Sequence, residues 1–366
     1  MSLQWWHPVL GDRERKLVLE VIDSNFPNDG EYTREFERRL AGLCGVKHAV
    51  GVTSGTAALF VALVAAGIGR DDEVLVPDLT FIATANAVRL AGGTPVLVDI
   101  EPATFGIDPD RVRQAITAKT KAIIPVHVNG RKASIEPLLT VAVQHGLAII
   151  EDAAEALGSK SQGKALGTYG ACGCFSFAPS KIITTGQGGA VVTDDDAVYH
   201  RLLGLKDQGR PVRGTGGADD HPTLGFNFKL SNLLAAVGVA QLEQLESRQT
   251  HLRNLYGWYQ EGLEGIGGVV LPPFNITAGE SPQWIDVLAE RRDELTEYLL
   301  ARKIETRKFW YPLHTQPPYR RNGEPFPHAT RVSASGLWLP SALSVTRTDV
   351  GIVCQAIKGF YATARS

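Results

Sequence analysis

The chain is poor in the features that mark specialised protein classes. It has four cysteines in 366 residues: Cys44, Cys172, Cys174 and Cys354. A disulfide framework needs a denser set in a shorter chain. Cys172 and Cys174 alternate along a strand-like run and share one face. The C-x2-C spacing and further partners of a metal site are missing. The expectation is four free, buried thiols and no metal. No apolar run reaches the ~18 residues of a membrane span. The opening segment, MSLQWWHPVLGDRERK, lacks the basic-then-apolar pattern of a secretory signal. The formal net charge is only −2, which argues against a dedicated nucleic-acid binder. Internal repeats and low-complexity linkers are absent. What remains is a soluble, reduced protein, expected in the cytoplasm.

With 44% hydrophobic and 21% charged residues, the composition is that of an ordinary globular protein. Its length exceeds the ~250–300 residues at which single cores stop growing. Two domains are expected: residues 1–235, a large α/β domain with an N-terminal arm, and residues 236–366, a connecting helix and a small α+β domain. In the first, seven short apolar runs start at residues 48, 73, 94, 121, 147, 172 and 189. Most are continuous rather than alternating, as in strands buried on both faces. Helix-like stretches lie between them, such as 56–67 and 135–146, the second ending at Gly146. The pattern predicts a mainly parallel seven-stranded sheet covered by helices. Residues 230–263 read as one long helix with Ser231 as its N-cap.

Ligands of open α/β sheets bind beyond the carboxyl ends of the strands, so the residues that follow each run are the site candidates. After the first comes SGTAAL, with Gly55, Thr56 and Ala57 at a helix start. Free N–H groups and the helix dipole make an anion site there, or simply a capped helix. After the second comes Phe81, a ring for stacking on a planar ligand or for the core. Asp152 ends a run that should be fully buried. A carboxylate there needs a partner, either a cationic ring nitrogen or a structural salt bridge. Glu155 follows three residues later. Lys181 has no charged residue within six positions on either side. A lysine between buried strands either snorkels or loses its proton, and a deprotonated amine can form a Schiff base with a carbonyl. Ser176 precedes it, and the glycine-rich TTGQGG turn follows.

A phosphate site, a stacking ring, a carboxylate for a ring nitrogen and an isolated lysine, each at a strand end, are the set that pyridoxal 5'-phosphate requires. The chain resembles the DegT/StrS-type sugar aminotransferases, which have the fold-type-I architecture of aspartate aminotransferase. The resemblance covers nearly the whole sequence. It rests on GVTSGTAALFVAL, VLVPDLTFIATANAV, IIEDAAEALGS, CFSFAPSKIITTGQGG and LGFNFKLSN, among other stretches. Within the family the chain looks most similar to perosamine-synthase-like members, which aminate C4 of a nucleotide-linked 4-keto-6-deoxy sugar.

The resemblance implies a role for each position. Lys181 would carry the cofactor and Asp152 would face its ring nitrogen. Thr56, Ala57 and Ser176 would hold the phosphate, with Gly55 at the turn. Phe81 and Glu155 would lie on the two sides of the ring. Asn227 would reach the phosphate of the neighbouring subunit in a homodimer. His314, Tyr311 and Arg307 would approach the sugar nucleotide. Glutamate would be the amino donor, with the product used in O-antigen or another glycan or antibiotic sugar. The sequence departs from the pattern at FAPSK, VHVNGRKAS and QWIDVL, which bears on the identity of the sugar. A 3-keto sugar is the alternative within the family. A nicotinamide enzyme would need G-x-G-x-x-G directly after the first strand. The nearest glycine run, RGTGGADD at 213–220, does not follow one. A non-catalytic protein would have little reason to keep both Lys181 and Asp152.

Overall fold

The computed structural model describes residues 2–210, 220–320 and 325–363. The glycine run at 213–219 lies outside the described residues. The strands in chain order are β1 (His48–Val52), β2 (Glu73–Pro77), β3 (Thr94–Val98), β4 (Thr120–Ile123), β5 (Ala148–Asp152), β6 (Lys160–Ser161), β7 (Lys164–Ala165), β8 (Cys172–Ser176), β9 (Gly189–Thr193), β10 (Val269–Val270), β11 (Ile285–Ala289), β12 (Arg307–Lys308) and β13 (Gly336–Leu339).

The apolar runs pair into a seven-stranded sheet in the order β1-β9-β8-β5-β4-β2-β3. Only β9 runs against the others, antiparallel to both β1 and β8. Helices cover both faces, which is why the strands carry apolar residues without alternation. The helix Gly55–Ala65 is apolar almost all round because it is wedged between β8, β9 and two neighbouring helices. The helix Ile135–His145 ends at Gly146, whose φ of +66° is left-handed and suits glycine. All four cysteines are free and buried. Among the described residues no helix is long and apolar enough to cross a membrane.

The expected single helix over 230–263 is two helices, Asn232–Leu242 and Leu245–Leu263, broken at Glu243 and Gln244. Ser231 caps the first, as expected: its side chain accepts from the Leu234 N–H. The break has a packing cause. The first helix lies against helices Asp12–Asp23 and Glu31–Cys44, and the second against Arg347–Thr363. A polar knot holds the corner. The Arg248 guanidinium donates to Gln241 Oε1 at 2.5 Å and to the carbonyl of Ile182 at 2.9 Å. Periodicity within one segment cannot register a change of packing partner.

A second sheet, all antiparallel, has the order β10-β11-β13-β12. The N-terminal segment is tied to it: Leu3 bridges Ile304, and the Ser341 N–H donates to the Trp5 carbonyl at 2.8 Å. Arg131 links the two sheets. It is only 2% exposed and makes two 2.7 Å hydrogen bonds to Asp286 in β11. It also donates to the carbonyls of Pro272 and Pro273, and its guanidinium lies 3.7 Å from the Phe274 ring centre. Removing one member of a buried pair strands the other charge. Arg131→Ala should therefore destabilise the protein by about 3–5 kcal/mol in denaturant titration. Changing both partners to apolar residues of similar volume should recover much of that loss.

Candidate active site

Six strands of the large sheet end at one edge, where β9 begins, and a cleft opens there. Its free volume is about 260 Å³, near the lower end of the ~300–1,000 Å³ usual for small-molecule sites. All but β3 contribute to the lining: Ser54 to Thr56 after β1, Thr80 and Phe81 after β2, Val126 after β4, Asp152 and Glu155 with β5, residues of the segment Ser176 to Lys181 after β8, and Gln187 and Gly188 before β9.

The start of helix Gly55–Ala65 forms one wall. Ser54 is its N-cap and accepts from the Ala57 N–H at 3.1 Å. The N–H groups of Gly55 and Thr56 lie in the first turn, where a helix supplies no acceptor. The Cβ position of Gly55 faces the side chain of Ser176 at the end of β8. A Cβ on Gly55 would lie 2.8 Å from that of Ser176. Glycine is thus what lets the helix start approach the strand end. The result is a cradle of backbone donors and hydroxyls at the positive end of a helix dipole, suited to a phosphate.

Asp152 is buried, and its two oxygens are held separately. Oδ2 accepts from Thr84 Oγ1 at 2.8 Å, and Oδ1 from the Ala154 N–H at 3.1 Å. Burial pushes this carboxyl above the usual range, opposed by the Thr84 and Ala154 hydrogen bonds and by the charge of Lys181. Phe81 stands beside it with half of its surface (52%) open. An aromatic ring left exposed in a cleft is available to stack on a planar ligand.

Lys181 lies in the turn after β8, with a side chain only 13% exposed. Its Nζ is 3.3 Å from Glu155 Oε1 and 5.1 Å from the centre of the Trp284 ring. Glu155 also accepts from the Asn129 N–H at 3.0 Å, and burial raises its pKa against the pull of Lys181. The turn itself is gripped from outside. The Trp6 indole N–H donates to the Pro179 carbonyl and the Trp284 indole N–H to that of Ser180, both at 3.1 Å. Gln283 holds Ser180 and Ile182 through its side-chain amide. Trp310, Trp338 and Arg307 complete the far wall. The Arg307 guanidinium lies 5.0 Å from the Trp5 ring centre and 5.7 Å from that of Trp338.

The fold thus brings Gly55, Thr56, Phe81, Asp152, Glu155, Ser176, Lys181 and Arg307 to one cleft. Ala57 sits just inside the helix start, its N–H already taken by Ser54. Three expected residues lie elsewhere on this chain. Asn227 is exposed, on a bridge to Asp207. Tyr311 is exposed outside the cleft wall. His314 is anchored at the end of β2, where its N–H and Nδ1 meet the two oxygens of Asp78 at 2.8 and 2.6 Å. Sequence reasoning missed Thr84, Ser180, Gln187, Trp284 and Trp338. Trp310 stands in KFWYPLHTQPPY (308–319), whose aromatic rings, histidine and prolines read as a stacking surface for a sugar and a base. Thr84 stands in the quoted TFIATANAV stretch, three residues after Phe81. Trp284 and Trp338 come from distant segments and carry no local signal.

The donor set fits pyridoxal phosphate: an N–H cradle, an exposed ring, a buried carboxylate held by two donors, and a lysine within the same cleft. Among the described residues no cluster of potential metal ligands occurs. Comparison with known proteins agrees. A model of the DegT/DnrJ/EryC1/StrS aminotransferase family matches residues 8–358. The GDP-perosamine synthase of Caulobacter vibrioides is 40% identical over 359 residues, 96% of each chain. The UDP-N-acetyl-3-dehydro-alpha-D-glucosamine 3-aminotransferase of Acidithiobacillus ferrooxidans is 42% identical over 238 residues, covering 65% of this chain and 63% of that one. The solved structure of DesI in the presence of its TDP-sugar product superposes with a TM-score of 0.91 at 33% identity, covering 100% of this chain and 95% of the other.

A raised carboxyl pKa means that the folded state holds the proton more tightly than the unfolded chain. The stability this adds is present below the ordinary carboxylate range and is lost as pH rises through the raised value. In cofactor-free protein the melting-temperature difference between wild type and Asp152→Asn should accordingly move in favour of the variant as pH rises above about 4, leaving it no lower than wild type near neutral pH. The same variant should lose amino-transfer activity by orders of magnitude, because a neutral amide cannot hold a ring nitrogen protonated by charge.

Proposed function

The chain belongs to the DegT/DnrJ/EryC1/StrS aminotransferase family, and we propose that it transfers an amino group to C4 of a nucleotide-linked 4-keto-6-deoxy sugar with glutamate as donor. It is a pyridoxal-phosphate-dependent enzyme. The observation that carries the assignment of roles is the meeting of Lys181, Asp152 and the Gly55–Thr56 cradle in one cleft.

Bound there, pyridoxal phosphate supplies an electron-withdrawing ring that takes up the electron pair left on the substrate carbon. The chain does the rest. Gly55, Thr56 and Ser176 would hold the phosphate, Phe81 would stack on the ring, and Asp152 would set its charge against the ring nitrogen. Glu155 and the Trp284 ring keep Lys181 Nζ over the cleft, where the amine can take and return a proton at the amino-bearing carbon of the substrate. Arg307, which lines the cleft and has no carboxylate ion pair among the described residues, supplies a positive charge for an anionic substrate group. His314 and Tyr311 extend the surface beyond it toward the sugar nucleotide. Asn227, which lies away from its own cleft, serves the phosphate site of a second copy in a homodimer.

The C4 reading rests on the GDP-perosamine synthase relative, which matches along nearly the whole chain. A second reading, amination at C3, is favoured by the local 42% identity to the 3-aminotransferase. Turnover with glutamate should be measured on GDP-, dTDP- and UDP-linked 4-keto-6-deoxy sugars, on 3-keto isomers and on oxaloacetate. A 4-keto sugar should give the highest kcat/KM. A winning 3-keto isomer moves the amination site, and a winning oxaloacetate overturns the sugar reading.

Borohydride treatment of the yellow protein should fix the cofactor to the peptide that contains Lys181; attachment elsewhere would remove that residue from its role. Mixing Lys181→Ala with Asn227→Ala subunits should produce more activity than either parent, because one of the two shared sites is then intact. Absence of complementation in a verified mixed dimer would count against the role of Asn227.

A further inference from the structure

The segment that follows β2 does two things at once. It presents Phe81 to the cleft, and from inside the sheet it grips Asp152. Thr84 stands in the first turn of the helix Ala83–Leu90 and is fully buried. Its hydroxyl has one proton and three neighbours: Asp152 Oδ2 at 2.8 Å, Thr80 Oγ1 at 3.0 Å and the Phe81 carbonyl at 3.2 Å. An ionised carboxylate is the strongest acceptor of the three. If Thr84 donates to Asp152, its lone pairs are left to receive the proton of Thr80, which is also buried. The chain then runs Thr80 to Thr84 to Asp152, and each bond polarises the next. The other oxygen of Asp152 is tied by the Ala154 N–H. Two donors on two oxygens fix the rotation of the carboxylate plane. Two of the roughly four lone-pair sites of a carboxylate are thereby used, and Asp152 still lines the cleft.

We propose that Thr84, backed by Thr80, is a positioning residue that sets the orientation of the Asp152 carboxylate and keeps it an acceptor toward the cleft. The proposal rests on the reading of the cleft as a pyridoxal phosphate site and deepens it. It also explains why Phe81 and Asp152 act together, since three residues of one short segment fix the heights of both.

The charged and titratable groups that face Asp152 are Lys181 and Glu155 from the cleft, His127 from the turn after β4, and Cys174 from β8. None is altered by Thr84→Val, which removes the hydroxyl and keeps the shape. Hydrogen bonds to charged groups are worth enough for a loss of about ten- to a hundred-fold. Thr84→Val should slow the single-turnover reaction with the amino donor by that factor, mainly in the rate at saturating donor. It should weaken pyridoxal phosphate binding to cofactor-free protein, measured by equilibrium dialysis, and shift the visible absorption band. Thr84→Ser should restore all three, and Thr80→Val should show a smaller loss in the same direction. Melting temperature is measured alongside. A folded Thr84→Val protein with wild-type rate, affinity and spectrum overturns the proposal. So does a loss that follows melting temperature and that Thr84→Ser fails to restore. If wild-type protein binds no pyridoxal phosphate at all, the reading of the site itself fails, which these variants do not mimic.

Discussion

Asp152 ends a strand that is covered on both faces, where an ionised carboxylate has lost most of its hydration. Such a group persists only if the surroundings supply donors with fixed geometry. Thr84 comes from the helix after β2, Ala154 from the turn after β5, and Lys181 from the turn after β8. Meeting that demand pulls three connections between strands to one point. The cleft is therefore the place where the cost of one buried charge is shared among elements distant in sequence, and where a cationic ring nitrogen would complete the compensation.

Lys181 poses the mirror problem. It is isolated along the chain but not in space, since Glu155 and the Trp284 ring receive its amine. Charge from a neighbouring strand can be placed to within a hydrogen-bond length, whereas charge on adjacent residues would swing with the turn. The turn is also held by Trp6, Gln283 and Trp284, all outside the large sheet. The N-terminal segment and the residues leading into the small sheet thus hold the Lys181 turn by its backbone, while Trp284 and Arg307 also line the cleft.

Arg131 shows the same economy in the link between sheets. It occupies a departure from the family pattern, in VHVNGRKAS, yet it is fully paired with Asp286 and two carbonyls. The neighbouring Asn129 bonds the backbone of Trp284 in both directions, donating to its carbonyl and accepting from its N–H. These two residues fix where β11 starts, and with it the Trp284 ring over Lys181. A change in this loop can accordingly reshape the far wall of the cleft while the cofactor cradle stays as it is.

The strands of the large sheet were legible because burial on both faces writes itself as continuous apolar runs, and strand ends follow from strands. Gly55, Thr56, Phe81, Asp152, Ser176 and Lys181 could be picked out for that reason, each by chemistry local to its own segment. Gly146 and Ser231 were readable as helix ends through the same local rules. The break at Glu243 and Gln244, the hydroxyl pair of Thr80 and Thr84 behind Asp152, and the tryptophan wall were not. Each depends on what a distant segment places opposite. Thr84 reads as an ordinary helix residue until β5 brings Asp152 within 2.8 Å. Trp284, Trp310 and Trp338 share a surface only after β11 and β12 both pair with β13. The sequence by itself determined the layers, the strand ends and the chemical types at the site. Only the tertiary structure decided which side chains orient them, because hydrogen bonds and ring contacts act over a few ångströms in space and leave no period along the chain.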